Sequence, residues 1–269
     1  VLIALMALFK TYLGSIIDDK VWKGIAEGLN YGLGFMVIFM LHFTVATKQP
    51  AMTAARFAEA VEKTPQGKTV NMKLAQLLVD VFRSQSIAVL GNVLIAMGLA
   101  ALIAFGYQYK TGEPLMNADQ IAYQLHSIAP FAGTLWFAAI AGVWLFCSGI
   151  ISGYFDNRSN YLNMRMRLVQ HPLLKKLMSE KTRVKFANYM HENYGSLIGN
   201  LCFGMLLGIT GVVGYLTHLP LDIRHVAFSS ANVGYIAVSG HFTYSLLLQC
   251  IAFVLLIGLV NLIVSFSLT

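Results

Sequence analysis

Charge is what this sequence has least of. Only 12% of its 269 residues are Asp, Glu, Lys or Arg, against 57% hydrophobic ones, and the mean hydropathy is +0.65. Soluble domains carry about 25% charged residues. One globular core cannot bury so much apolar surface, because burial rises slowly with chain length. A soluble fold is thereby excluded, and a bilayer that solvates the apolar surplus is implied. Cysteine is scarce too. Cys147, Cys202 and Cys250 each sit inside an apolar segment with no second Cys or His at metal-ligand spacing. They read as small packing residues, and they supply neither a disulfide framework nor a zinc site. The sequence also lacks a Gly-rich phosphate loop, HExxH and GxSxG, so it offers no catalytic, cofactor or metal constellation. Ser229 or Ser230 near His225 is too loose an arrangement for a nucleophile. No signal-peptide pattern opens the chain. It begins inside one apolar run, Val1 to Phe9, and stops inside another, so residues 1–269 are expected to be a single transmembrane domain of a longer protein.

What is present is a series of long hydrophobic runs. A helix rises 1.5 Å per residue, so crossing about 30 Å of hydrocarbon takes about 20 apolar residues. Gly28–Thr47, Ser86–Tyr109, Pro130–Tyr154, Gly195–Thr217 and Phe242–Leu268 meet that length, and Val1 to Ile17 reads as the end of a further span interrupted by Lys10. The segment 226–240 is too short to cross and rich in small and polar residues. It is either a re-entrant or buried half-helix, the preferred reading, or the first part of a broken pair with Phe242 onward. The fold class expected is all-α: a polytopic transmembrane bundle of about five to six spans, with one short re-entrant or broken segment and amphipathic cytoplasmic helices.

Basic residues set the orientation. Of the 19 Lys and Arg, six lie in 48–83 and eight in 154–193, while 110–129 and 218–225 carry one each, Lys110 and Arg224. Loops enriched in Lys and Arg face the cytoplasm, which places 48–83 and 154–193 there. Thr53 is a plausible N-cap for a helix in the first loop. In the second, Leu162, Met166, Val169, Leu173 and Leu177 recur at helical spacing with a break at Pro172, and basic residues occupy the other faces. Such a helix is expected on anionic lipid headgroups. Nucleic acid is not an expected partner of this region, whereas other membrane subunits or a second copy are.

Polar residues inside or beside the spans are the candidates for function. Asn92 and Asn200 lie within spans, either hydrogen-bonded between helices or lining a polar path. They belong to an echo: Gly91-Asn92, Met97 and Gly106-Tyr107 recur 108 residues later as Gly199-Asn200, Met205 and Gly214-Tyr215. Repeats of this kind occur in transporters. Gly204, Gly208, Gly211 and Gly214 predict close helix packing. Lys48 stands at a span end, where a lipid phosphate is one partner. Asp156 opposes the dipole at a helix C-terminus, which calls for a partner such as Lys48 or Arg158. Asp222, Arg224 and His225 precede Ser230 and Asn232 in the short segment. An Asp222–Arg224 ion pair closing the turn is one reading, and Asp222 with a His225 that titrates near neutral pH and gates a path is the other.

Five stretches, ATKQPAMTA (46–54), SQSIAVLGN (84–92), SGYFDNRSNY (152–161), GSLIGNLCFGMLLG (195–208) and LPLDIRHVAFSSAN (219–232), resemble the bacterial membrane family known as site-specific recombinases, the gonococcal-recombinase-like family. The resemblance covers essentially the whole chain. It implies a Gram-negative source, longer members with a helical region ahead of the membrane part, and a role in DNA rearrangement. The residues themselves assemble no Tyr or Ser nucleophile among arginines. The function expected is therefore a non-enzymatic transporter, lipid-handling or assembly component, with site-specific recombination as the alternative.

Overall fold

The computed structural model describes residues 2–43, 68–239 and 242–268, and Lys48 with the proposed helix after Thr53 lies outside them. The described residues form an all-α membrane bundle without strands. Its helices are α1 (Leu2–Ile16), α2 (Lys20–Met40), α3 (Lys68–Thr111), α4 (Ala118–Ile128), α5 (Leu135–Tyr161), α6 (Met164–Gln170), α7 (Pro172–Leu177), α8 (Glu180–Thr217), α9 (Val226–Ala237) and α10 (Tyr244–Leu268). Among them α3 from Ser86, α5 with the turn before it, α8 and α10 are long and apolar enough to cross a membrane.

One expected span is displaced. The run 28–47 suggested a helix starting at Gly28, but α2 begins at Lys20 because the Asp19 carboxylate accepts from the backbone N–H of Val21 at 3.0 Å and of Trp22 at 2.9 Å. That is an N-cap, which satisfies donors the first helical turn leaves open. The helix stops at Met40, and His42 takes a left-handed φ of 58°. The break expected at Pro172 is present between α6 and α7, but the flanking spans run further into 154–193 than hydropathy suggested: α5 reaches Tyr161 and α8 starts at Glu180.

The α2–α8 interface is the most extensive in the bundle. Gly24, Gly28 and Gly32 of α2 meet Gly204 and Gly208 of α8 backbone to backbone, and a Cβ on either α8 glycine would collide with the α2 main chain. Lipid tails are as apolar as leucine, so helix association in a membrane depends on such close packing. Gly214 performs the same service for the Leu219 and Leu221 carbonyls after the helix, while Gly211 faces open space. On the other side α8 packs on α5, where Trp144 Nε1 donates to Thr210 Oγ1 at 2.8 Å.

Between α4 and α5 the chain makes a π-type turn over Pro130–Thr134. Gly133 has a φ of 75°, and the Thr134 hydroxyl donates to the Ser127 and Ala129 carbonyls at 3.0 and 2.7 Å. Beside it lies α9. Its twelve residues span about 18 Å, well short of a bilayer. Ten of the twelve are buried, under α1, α3, α4 and α10. A short polar-rich helix survives at membrane depth only where protein encloses it, and α9 meets that condition as a helix separate from α10.

Candidate functional site

The site grows from the connection between α8 and α9. His218, with a left-handed φ of 56°, ends α8, and the next residues return to the bundle. Trp136 Nε1 donates to the Pro220 carbonyl at 3.1 Å, and the Arg224 N–H to that of Phe137 at 3.2 Å. The Arg224 guanidinium is then held from several sides. Nη1 donates to Asp222 Oδ2 at 2.6 Å and to the Ile223 carbonyl at 2.8 Å, and Nε to the Ser127 carbonyl at 2.8 Å. It also lies 5.3 Å from the Phe137 ring centre. The Asp222–Arg224 pair is thus formed, and its arginine is spent on fixing the turn to α4 and α5.

Asn261 of α10 completes this junction. It is fully buried in the most apolar helix, donates from Nδ2 to the Ala138 carbonyl at 2.7 Å and the Arg224 carbonyl at 3.0 Å, and accepts from the Val226 N–H at 3.1 Å. Three elements meet on one amide. Asn261 was overlooked in the sequence, although a lone amide in a run of Leu, Ile and Val is itself the signal.

His225 is enclosed among aromatic side chains. Its ring is 1% exposed and packs against Phe35, Phe203 and Phe228 at 5.6 to 6.1 Å between ring centres. Burial disfavours the imidazolium and pushes the pKa down to about 4. Nδ1 accepts from the Ala227 N–H at 3.4 Å, so the neutral ring caps α9. Ser230, also buried, donates to the Val226 carbonyl at 2.6 Å in its own helix.

Beside this junction lies a cavity of about 500 Å³. Lys10, Thr11, Gly14 and Ser15 of α1, with Lys23 and Glu27 of α2, form one wall. Asp119, Gln120, Tyr123 and Gln124 of α4, with Met116 and Asn117 before it, form another, and Asp222 and Asn232 complete it. Of the residues singled out in the sequence, Asp222 and Asn232 therefore reach the cavity, while Arg224 contacts it only through its pair with Asp222 and His225 and Ser230 are not among its lining residues. Lys10 Nζ lies 3.6 Å from Glu27 Oε2 and 5.8 Å from the centre of the Tyr31 ring. The hairpin carrying these charges is fixed by Asn30 Nδ2 donating to the Met6 carbonyl at 2.8 Å and by the Tyr235 hydroxyl donating to that of Ala4 at 2.5 Å. Lys10, Lys23, Glu27 and Asp119 were not among the sequence candidates. The signal for Lys10 was its position, a lone charge interrupting an apolar run.

The remaining candidates lie elsewhere. Asn200 is buried but donates to the Ser196 carbonyl of its own helix at 2.7 Å, and Asn92 is half-buried on α3, a helix whose main partner is α9 and not α8. The two amides stand on helices that are not major packing partners of each other. The glycines of the echo differ in their surroundings, since a Cβ on Gly91 or Gly106 would meet open space whereas Gly199 and Gly214 are packed. Asp156 finds a partner other than a cation: Oδ1 accepts from the Gly195 N–H at 2.9 Å, while the Ser159 hydroxyl lies 3.1 Å from His191 Nδ1. These bonds staple α5 to α8. Among the described residues no group of three or more His, Cys, Asp or Glu could hold a metal ion.

A family model described as Site-specific recombinase matches residues 1–269. No curated protein and no solved structure matches the chain.

Proposed function

The chain belongs to the site-specific recombinase family, and from that starting point we propose that it works as a non-enzymatic membrane component that takes a small hydrophilic ligand into the cavity between α1, α2 and α4. The observation that carries this reading is the cavity itself. About 500 Å³ lined by five charged side chains and several amides and hydroxyls gathers a large share of polar groups at one place in a chain that is 57% hydrophobic. Its size falls within the range of small-molecule sites. The reading places the chain in the inner membrane of a Gram-negative bacterium with 48–83 and 154–193 in the cytoplasm, the basic residues of the latter lying on anionic headgroups, and further subunits or a second copy against its exposed helix faces.

The test is to fill the cavity. Full-length protein purified in detergent carries a small polar molecule in native mass spectrometry, and the Asn232→Phe variant, folded as judged by its thermal transition, carries none. The same bound mass in both proteins would defeat the reading.

Strand exchange on DNA is the second reading, and the family description is what favours it. Recombination chemistry needs an activated hydroxyl at a scissile phosphate, and Arg224 is already committed to Asp222 and two carbonyls. The expected result is that purified full-length protein leaves supercoiled DNA intact. Cleavage or rejoining that disappears in an Arg224→Ala variant would instead establish the DNA role.

A further inference from the structure

The charges in the cavity are not equivalent. Asp222 is neutralised by Arg224 at 2.6 Å, inside the distance of a strong charge-assisted hydrogen bond. Glu27 is paired with Lys10 at 3.6 Å, a looser contact, but still a pair. Lys23 and Asp119 have no ion-pair partner among the described residues, and both line the cavity. Lys23 stands on α2 with its ammonium over Gly14, where a Cβ would come within 3.1 Å of Nζ, and the glycine leaves that ammonium room. Asp119 stands in the first turn of α4, where the helix dipole favours its charge. The capping box of Asn117 and Gln120 fixes that turn, with the Gln120 N–H donating to Asn117 Oδ1 at 2.8 Å and the Asn117 N–H to Gln120 Oε1 at 3.0 Å. With the two pairs cancelling internally, the α1–α2 wall retains one positive charge and the α4 wall one negative charge.

Resting on the ligand-cavity reading above, we propose that the ligand is a small zwitterion, with its anionic group on Lys23 and its ammonium on Asp119. Asp119 is exposed at the mouth of this open cavity, and a single-sign ligand would pair with only one of the two wall charges, whereas a dipolar ligand pairs with both. Gln120, Gln124 and Asn232 supply neutral donors and acceptors between the two poles. Two sources share this chemistry: a free amino acid or glycerophosphoethanolamine, and the headgroup of an ethanolamine phospholipid.

The test uses the full-length protein. In detergent it is titrated calorimetrically with β-alanine and glycerophosphoethanolamine, and with ethanolamine and acetate as single-sign controls. In nanodiscs, native mass spectrometry measures retention of phosphatidylethanolamine against phosphatidylglycerol. A zwitterion binds about tenfold more tightly than either control, and Lys23→Gln or Asp119→Asn each weakens it about tenfold. The exchanged variant Lys23→Asp/Asp119→Lys recovers binding, because the ligand can reverse. Selective retention of the ethanolamine lipid in nanodiscs identifies the headgroup as the source, and binding of the free compounds alone identifies a solute. Equal binding of a control, or indifference to both single substitutions in proteins with an unchanged thermal transition, overturns the proposal. If the native protein carries a bound molecule that Asn232→Phe loses, yet no zwitterion competes for it, the charge assignment fails while the cavity reading stands.

Discussion

Asn261 concentrates three hydrogen bonds from three elements in a single buried amide, so its loss should be felt far beyond α10. Asn261→Leu leaves the Ala138 and Arg224 carbonyls and the Val226 N–H without that partner, at a cost of about 2–5 kcal/mol. Thermal unfolding in detergent should show a clear drop, and an unchanged transition would mean the junction does not form. His225 leads to a pH prediction. Its folded-state pKa lies at about 4, below the ordinary 6.5, so the unfolded chain binds the proton more readily. The neutral ring's contribution is complete above about pH 6.5 and is lost as the pH falls toward 4. His225→Asn, which retains an N-cap acceptor, should therefore flatten the fall in thermal stability across that interval, and an unchanged pH profile would contradict the buried neutral ring. At this scale the Asp222–Arg224 pair was legible, because two residues apart in a turn suffices to join them. Glu27, Lys23 and Asp119 were not, because their meeting depends on how α1, α2 and α4 fold against one another.

Two glycines of one helix separate packing from composition at the level of elements. Gly204 abuts the α2 backbone and Gly211 faces open space, though both belong to the same small-residue series. Gly204→Leu should force α2 and α8 apart and lower the thermal transition by several degrees or abolish folding. Gly211→Ala should be neutral or slightly stabilising, since alanine is the better helix former by about 1 kcal/mol. Equal damage from both would contradict the α2–α8 interface. Most spans were readable from hydropathy because membrane helices need a fixed apolar length. The start of α2 was not, since Lys20, Lys23 and Glu27 mask a helix that a cap at Asp19 initiates. Two of those charges, Lys23 and Glu27, line the cavity, and Lys20 lies over the Tyr215 ring, so that part of the sequence departs from a plain membrane pattern. The short α9 was visible as an anomaly of length; only its neighbours explain how it is tolerated.

The molecule as a whole is a membrane bundle that encloses a helix too short to span and keeps a polar cavity beside it. That arrangement needs water or a ligand to reach Asn232 but not Ser230, although the two are neighbours on α9. The most direct test replaces Cys147, Cys202 and Cys250 with serine and introduces a single cysteine at either position in the full-length protein. The account predicts that a water-soluble maleimide modifies Asn232→Cys readily and leaves Ser230→Cys unmodified. Equal protection of both cysteines in the folded protein would mean that no hydrated cavity exists there, and the functional reading would fall with it.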